Sequence, residues 1–256
     1  MDSSSSSLKN ILNTEFRNYI DLEKTSKDAY IYRMFPLNRF YQLFSDNSNT
    51  LVSPKLWDDP YENYIMQAQV AMPNGELVGY GFKDRYYGQC WTQRTYSDAL
   101  WRIYSSDHRS VRVRSTIRKL AESLIAHHPD LRNSNCFIGK VKYQGNVELT
   151  DLANKVASTD NHGAILYAKT LLRKRRAFSH EKEIRLLFND VENVCDGEIY
   201  QYDIDPHDLI DQIMIDPRID KEEFIDIKNA IERRTKFQGS IVRSTLYDPP
   251  PRLIAP

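Results

Sequence analysis

The sequence has few cysteines, no net charge and no long apolar run. Only Cys90, Cys136 and Cys195 occur in 256 residues, without a CxxC pair or a histidine at ligand spacing, so neither a zinc site nor a disulfide framework is predicted. Three scattered cysteines favour a reducing compartment, and we expect a cytoplasmic protein. The 35 basic and 35 acidic side chains cancel, which excludes a global field that draws the chain onto nucleic acid or a membrane.

Other signals are also missing. No apolar stretch approaches the roughly 18 residues of a membrane span, and the N-terminal MDSSSSSLKN lacks the apolar core of a signal peptide. We therefore expect no membrane partner. The sequence has no P-loop, GxGxxG, HExxH, GxSxG or EF-hand pattern, and its 6 histidines form no ligand set, so no metal cofactor is predicted.

The domain organisation follows from composition and pattern. With 41% hydrophobic residues the chain can bury a full core. We predict a disordered leader at 1–7, a single domain over 8–247 and an extended Pro-rich tail at 248–256. Helical and strand patterns are intermixed without regular alternation, which favours an α+β fold with a small, mostly antiparallel sheet and flanking helices.

Local periodicity predicts the individual elements. Helices are expected over 8–27, 37–44, 117–125, 149–156 and 163–173. Strands are expected over 29–34, 50–53, 86–92, 136–143, 184–188 and 198–204, with the last two forming a hairpin. Asp59, Pro60 and Glu62 have the spacing of a helical capping box. Val111 and Val113 alternate with Arg112 and Arg114, which predicts a strand with one buried and one exposed face.

The stretch from 171 to 188, LLRKRRAFSHEKEIRLLF, joins a basic run, an aromatic residue and a Glu-x-Glu pair. The alternation that follows predicts a strand and points Glu181 and Glu183 the same way at its start. Two such carboxylates can share a proton, bind a cation or stabilise a positive transition state. The structural alternative is a solvated ion-pair strand end.

The basic run has two interpretations as well, and its residues are Arg173, Lys174, Arg175 and Arg176. It is either a solvated helix end or a site for a phosphate-bearing ligand, because arginine suits bidentate oxyanion contacts. Trp91 and Trp101 lie in polar segments, so each is either a core residue or part of a cleft wall.

Several motifs resemble one family when they are taken in order. They are Tyr32-Arg33, Trp57-Asp58-Asp59-Pro60-Tyr61-Glu62, Cys90-Trp91-Thr92, Leu100-Trp101-Arg102-Ile103-Tyr104 and Phe178 with Glu181-Lys182-Glu183-Ile184-Arg185-Leu186-Leu187. This order resembles a large, mainly bacterial family known only as domain of unknown function 2971, over roughly residues 28 to 245. The resemblance implies fold and boundaries but no activity.

The chain also resembles, more distantly, the ADP-ribosyltransferases. In that class a basic residue ends the first strand and binds nicotinamide dinucleotide, a Ser/Thr or Tyr lies on a middle strand, and a Glu opens a later strand. Arg33, Ser115 or Tyr104, and Glu183 occur here in that order. The resemblance implies an ADP-ribosyltransferase-like fold with NAD as substrate. It implies catalytic roles for Glu183, Glu181 and Arg33, and cofactor binding by Arg33, Tyr32, Tyr104, Ser115, Trp91 and Trp101.

Three functions are compatible with these features. The leading hypothesis is NAD-dependent ADP-ribosyl transfer or NAD cleavage, as in a bacterial toxin or a phage-defence effector. The second is a nucleic-acid-binding or nucleic-acid-processing defence protein that uses the basic run for phosphates and aromatic side chains for stacking. The third is an interaction protein without catalysis.

Overall fold

The computed structural model describes residues 17–64, 69–71, 74–79, 84–130, 132–157 and 163–250. The predicted leader and the first half of the predicted N-terminal helix lie outside these residues. The strands are β1 (Tyr19–Ile20), β2 (Tyr30–Pro36), β3 (Ser48–Val52), β4 (Gln69–Ala71), β5 (Leu77–Gly79), β6 (Tyr86–Thr92), β7 (Ser110–Thr116), β8 (Cys136–Lys140), β9 (Lys142–Gln144), β10 (Arg173–Arg175), β11 (Glu183–Asn189), β12 (Ile199–Asp203), β13 (Gln212–Ile215) and β14 (Ser240–Arg243).

Helices are interspersed with these strands. The α-helices are α1 (Leu37–Ser45), α2 (Asp98–Tyr104), α3 (Ile117–Ile125), α4 (Arg132–Asn135), α5 (Asn146–Ala157), α6 (Ala164–Thr170), α7 (Pro206–Leu209) and α8 (Lys221–Thr235). Short 3₁₀ segments cover Pro54–Leu56 and Arg176–Glu181. None of the described helices is long and apolar enough to cross a bilayer.

The chain forms two compact units. Unit 1 takes in residues 1–29, 49–93 and 116–203, and unit 2 takes in 30–48, 94–115 and 204–256, each to the extent that the structure describes them. Strands and helices are mixed within both units, and most strand pairs are antiparallel. The predicted α+β class with a mostly antiparallel sheet is therefore confirmed. The predicted boundaries at residues 8 and 247 stay a prediction.

Strand β11 is central to the sheet of unit 1. It pairs antiparallel with β6 on one side and with β8 on the other, and β1 adds to β8 in parallel. Every residue from Glu183 to Asn189 is buried, which shows that both faces of β11 are covered in addition to its two paired edges. Strand β12 pairs with β3. The predicted hairpin between 184–188 and 198–204 is thus wrong.

Helix α3 contributes to the core of unit 1. Thr116 caps it, since its hydroxyl accepts a hydrogen bond from the Lys119 N–H at 3.2 Å. Its apolar residues recur at helical spacing and are buried, as the sequence predicts. The predicted core residues are all buried, namely Ile117, Leu120, Leu124, Ile184, Leu186 and Phe188.

Unit 2 contains β2, β7, β13 and β14 in that order across its sheet. Strand β13 runs antiparallel to β7 and parallel to β14. Helix α8 begins after Asp220, whose carboxylate accepts from the Glu223 N–H at 2.8 Å. The rings of Phe44 and Phe237 meet edge to face at 6.1 Å, which anchors α1 within this unit.

Two predicted helices differ from the structure. Residues 17–27 form β1 and turns, because Tyr19 and Ile20 pair with β8 and the Asn18 amide donates to the Cys136 carbonyl at 2.9 Å. The helix expected over 163–173 ends at Thr170, and Arg173–Arg175 continues as β10, parallel to β9. The basic run is therefore not a helix end.

Candidate functional site

Glu181 and Glu183 lie at the start of β11 in unit 1. The Arg176–Glu181 segment ends in Lys182, whose backbone is left-handed with a φ of 46°, and the strand begins at Glu183. Tyr143 supports this turn by accepting a hydrogen bond from the Glu183 N–H at 2.8 Å. Both glutamate side chains are buried and hydrogen-bonded to each other. The prediction that they point the same way is confirmed.

Lys174 lies between the two carboxylates. Its Nζ is 2.6 Å from an oxygen of Glu181 and 2.6 Å from an oxygen of Glu183. A third carboxylate, Glu62, lies 3.0 Å from the same Nζ. The basic run therefore delivers a buried ammonium group that organises the glutamate pair.

Arg185 completes the buried cluster. Its Nε donates to Glu183 at 2.7 Å, a terminal nitrogen contacts Glu62, and another donates to the Leu171 carbonyl at 2.7 Å. The guanidinium is fully buried, and it stacks on the Trp57 ring at 4.3 Å from the ring centroid. Both oxygens of Glu183 are thus held by cations of the chain.

The residues of the predicted capping box belong to this cluster and not to a helix. Residues 58–64 form turns, so the predicted helix start is wrong. Asp59 accepts from the Tyr61 N–H at 3.1 Å and pairs with Arg175 at 2.9 Å, whereas Glu62 pairs with Lys174 and Arg185. Short-range spacing alone cannot reveal these partners, because Glu62 and Arg185 are 123 residues apart.

The two glutamates of the pair ionise differently. Burial raises the pKa of Glu181 to about 7, and the neighbouring Glu183 charge acts in the same direction. Burial also acts to raise the pKa of Glu183, but Arg185, the hydrogen bond from Glu181 and Lys174 outweigh it and lower the pKa. Glu183 is therefore ionised at neutral pH, while Glu181 gains and loses a proton there.

The cluster contains four carboxylates against three cations. Its members are Asp59, Glu62, Glu181 and Glu183 with Lys174, Arg175 and Arg185. Burial also raises the pKa of Glu62. A positive charge that develops beside the cluster therefore favours ionisation of Glu181, whose pKa is raised to about 7. The site can therefore respond to a positive charge on a bound ligand by releasing the proton of Glu181.

Aromatic side chains border the cluster. Arg175 stacks on the Tyr61 ring at 4.7 Å and on the Phe178 ring at 5.5 Å, and Phe178 also covers the Lys174 ammonium at 4.7 Å. Tyr61 is 37% and Tyr64 48% exposed, and their ring centroids are 6.1 Å apart. An exposed aromatic surface thus adjoins the glutamate pair, where it can stack with a planar ring.

The basic run is largely engaged with carboxylates of the chain. Arg173 pairs with Asp21 at 3.3 Å, and Lys174 is held by the glutamates. Arg176 reaches Glu148 at 3.4 Å and keeps 72% of its side chain exposed. Within this run, Arg176 is the side chain most open to an external phosphate.

Trp91 lies in unit 1 but is packed in its interior. Its side chain is 3% exposed and its indole N–H donates to Gln89 at 2.7 Å. The neighbouring amide of Gln89 donates to Asn49 at 2.6 Å, so the indole is fixed by a buried polar network. The geometry favours the core interpretation of Trp91.

The other residues that the ADP-ribosyltransferase resemblance implies lie in unit 2. Arg33 stacks over Phe35 at 5.2 Å, and Tyr104 is 48% exposed. Trp101 is buried, and its carbonyl accepts from Arg218 at 3.0 Å. Ser115 is fully buried, and among the described residues its hydroxyl has no hydrogen-bond partner.

Sequence reasoning missed three members of the site. The spacing of Glu62 predicts a helix cap, and the patterns around Arg185 and Tyr143 predict only strands. The sequence signal for a buried Arg185 is Leu187, which lies two residues along the strand on the same face and is also buried. Across the residues that the structure describes, no group of His, Cys, Asp or Glu is arranged to hold a metal ion.

Comparisons with known proteins agree with the resemblance drawn from the sequence. Residues 100–186 match the family model described as Protein of unknown function (DUF2971), which confirms the first resemblance over that range. No curated protein matches the sequence.

The structure is similar to solved structures of DarT from Thermus sp. 2.9. The complex with ADP-ribosylated ssDNA has a TM-score of 0.38 and 10% identity, over 89% of this chain and 97% of that chain. The complex with carba-NAD+ has a TM-score of 0.37 and 13% identity, over 86% and 97%. The complex with NAD+ has a TM-score of 0.37 and 11% identity, over 85% and 96%. At such low TM-scores the likeness carries no functional argument.

Proposed function

We propose that this protein is an NAD-using enzyme that cleaves the nicotinamide–ribose bond and transfers the ADP-ribosyl group. One observation carries the proposal: two adjacent carboxylates, joined through Lys174, have pKa values that their surroundings separate. A pair of this kind supplies one permanent anion and one proton acceptor at neutral pH. Ribosyl transfer needs both.

The two carboxylates have different roles in this reaction. The bond between nicotinamide N1 and ribose C1′ breaks, nicotinamide leaves as a neutral molecule, and C1′ becomes cationic. The Glu183 carboxylate stabilises that cation electrostatically. Glu181 in its ionised form takes the proton of the attacking acceptor, which is water in hydrolysis or a nucleophilic group of a second substrate in transfer.

Residues around the pair suit the rest of the substrate. The Tyr61, Tyr64 and Phe178 rings offer stacking for nicotinamide, and Arg175 offers a guanidinium for an oxyanion. The nucleotide-binding roles that the resemblance implies for Arg33, Tyr32, Tyr104 and Ser115 concern unit 2 and stay a prediction, and the reaction proposed here rests on the residues of unit 1. The phage-defence or toxin role follows from the same resemblance.

The test measures nicotinamide release from NAD by the wild type and by two variants. Glu181→Gln mimics the protonated carboxyl, so we expect the fold to survive and turnover to fall by roughly 10² or more. Glu192→Gln removes an exposed glutamate of unit 1 and is expected to leave turnover unchanged. Thermal melting of each variant is the folding control. Absence of NAD binding or cleavage by the wild type would reject the proposal.

A nucleic-acid function is the second candidate, because the exposed Tyr61 ring lies against Arg175 and beside the exposed Tyr64 ring. Stacking rings beside cations are typical of single-stranded nucleic-acid sites. A nucleic-acid binder loses affinity steeply with rising salt, whereas NAD binding has little such slope. Titration of a fluorescent oligonucleotide at two salt concentrations separates the two functions.

A further inference from the structure

Strand β7 in unit 2 contains two arginines with different surroundings. Arg114 is partly exposed and pairs with Asp211 at 2.7 Å. Arg112 is 4% exposed, although the alternation of β7 predicts an exposed side chain. Among the described residues no carboxylate lies within ion-pair distance of Arg112, and its Nε has no hydrogen-bond partner. The burial prediction for Arg112 is therefore wrong, and a full positive charge is left inside unit 2.

The contacts that Arg112 does make are neutral. Its guanidinium stacks on the Tyr32 ring at 4.4 Å from the centroid, and one terminal nitrogen donates to the Thr95 carbonyl. A ring face and a carbonyl dipole offset part of the desolvation of a cation, but they supply no opposite charge. Burial accordingly lowers the Arg112 pKa, while Tyr32 and Tyr96 act to raise it and the Arg114 charge acts to lower it.

An anion is the missing partner of such a residue. Buried charges in proteins are paired as a rule, because several kcal/mol of desolvation per ion must be offset. A guanidinium held face-on by an aromatic ring keeps its N–H edge available for the oxygens of an oxyanion. The Thr95 carbonyl occupies one of those donors and can be displaced by a charged oxygen, which binds more strongly.

We propose that Arg112 is the anchor of an oxyanion site in unit 2 that binds the phosphate group of a ligand. Phosphate is favoured over carboxylate because a phosphate carries more negative charge and more acceptor oxygens to offset the desolvation of the buried guanidinium. Tyr32 holds the guanidinium plane. The site requires no NAD cleavage, so it stands or falls independently of the proposed reaction.

Binding of inorganic pyrophosphate to the full chain tests the site. Thermal melting is followed with increasing pyrophosphate at constant ionic strength, for the wild type, Arg112→Gln and Arg109→Gln. Arg109 is an exposed arginine of the same unit and gives the matched loss of one charge. We expect the melting temperature of the wild type and of Arg109→Gln to rise, and that of Arg112→Gln to stay constant. By calorimetry, Arg112→Gln should bind at least roughly tenfold more weakly.

The melting temperature without ligand separates this site from a structural role. If Arg112 is an anion site, its charge is uncompensated in the ligand-free protein. Arg112→Gln removes that charge, so the variant should melt at the same temperature as the wild type or higher. Lower stability or failure to fold would assign Arg112 a structural role and overturn the proposal. Absence of a pyrophosphate effect on the wild type, or an equal effect on Arg112→Gln, would overturn it too.

Two further ligands identify the source of the phosphate. Adenosine, which has no phosphate, should give no shift in melting temperature, and a shift that needs Arg112 but not phosphate would contradict an oxyanion site. Stronger binding of ADP than of pyrophosphate would assign the phosphate to a nucleotide. Equal or weaker binding of ADP would assign it to a free phosphate.

Discussion

Glu181 and Glu183 are hydrogen-bonded to each other across Lys182, whose backbone is left-handed. The reversal at Lys182 separates the 3₁₀ segment from β11, and Lys174 bridges the two carboxylates from the side, at 2.6 Å from each. Two like charges at this separation do not both ionise freely, so one carboxyl keeps its charge and the other carries the proton. Glu183 keeps its charge because it contacts both Lys174 and Arg185, whereas Glu181 contacts Lys174 alone among these cations.

The first prediction concerns Glu183→Gln. This change leaves the Lys174 and Arg185 charges facing a neutral amide inside unit 1, so the free energy of unfolding should fall by about 3–5 kcal/mol. Urea unfolding measures the change. Glu181→Gln is the matched variant and should cost far less, because Glu181 is already partly protonated near neutral pH. Equal losses for the two variants would contradict the different ionisation of the pair.

The second prediction is the pH dependence of stability. The folded pKa of Glu181 is about 7, against an ordinary value of 4.5, so its protonated form stabilises the fold. That stability is fully present below pH 4.5 and is lost as the pH rises through about 7. The free energy of unfolding of the wild type relative to Glu181→Gln should therefore decrease over this range. An increase would show that Glu181 is held ionised.

The third prediction concerns Asp59, which forms an ion pair and not a helix cap. Asp59 is buried and pairs with Arg175, so Asp59→Asn should lower the free energy of unfolding by about 1.5–3 kcal/mol, the range for a hydrogen bond to a charged group. Asp58→Asn changes the exposed neighbour and should have almost no effect. Arg175→Gln should cost about as much as Asp59→Asn, and a double variant that adds the two losses fully would argue against the pair.

The fourth prediction tests the core of unit 1. Leu120 and Phe188 are buried on α3 and β11, so alanine at either position should cost about 2–5 kcal/mol. Lys119→Ala on the exposed side of α3 is the control and should change the stability by less than about 0.5 kcal/mol. Denaturant midpoints give all three values, and a small loss for both core variants would refute this packing.

Local patterns predicted much of this fold. The alternation from Ile184 to Phe188 predicted an apolar face on β11, and the helical spacing of apolar residues predicted the buried face of α3. Glu181 and Glu183 do point the same way as predicted, but strand alternation is not the cause, because Glu181 ends the 3₁₀ segment and the left-handed Lys182 separates it from β11. The predicted hairpin failed because β11 pairs with β6 and β8, and strand partners depend on the whole sheet.

Only part of the site could be predicted from the sequence, for a related reason. Asp59 and Glu62 have the spacing of a capping box, yet their partners Arg175 and Arg185 lie more than a hundred residues away in sequence. Short-range spacing cannot distinguish a cap from a distant ion pair, since both need the same carboxylates. Arg112 shows the same limit, because an arginine in an alternating strand is expected in solvent.

The pH dependence of nicotinamide release from NAD is the sharpest test of the proposed roles of Glu181 and Glu183. If Glu181 accepts the proton of the acceptor, the rate should rise with pH and level off above an apparent pKa near 7, a value that belongs to the pair. Glu181→Gln should be slow and nearly independent of pH over the same range, while Glu192→Gln should follow the wild type. A wild-type rate without this transition, or the same transition in Glu181→Gln, would show that Glu181 is not the proton acceptor.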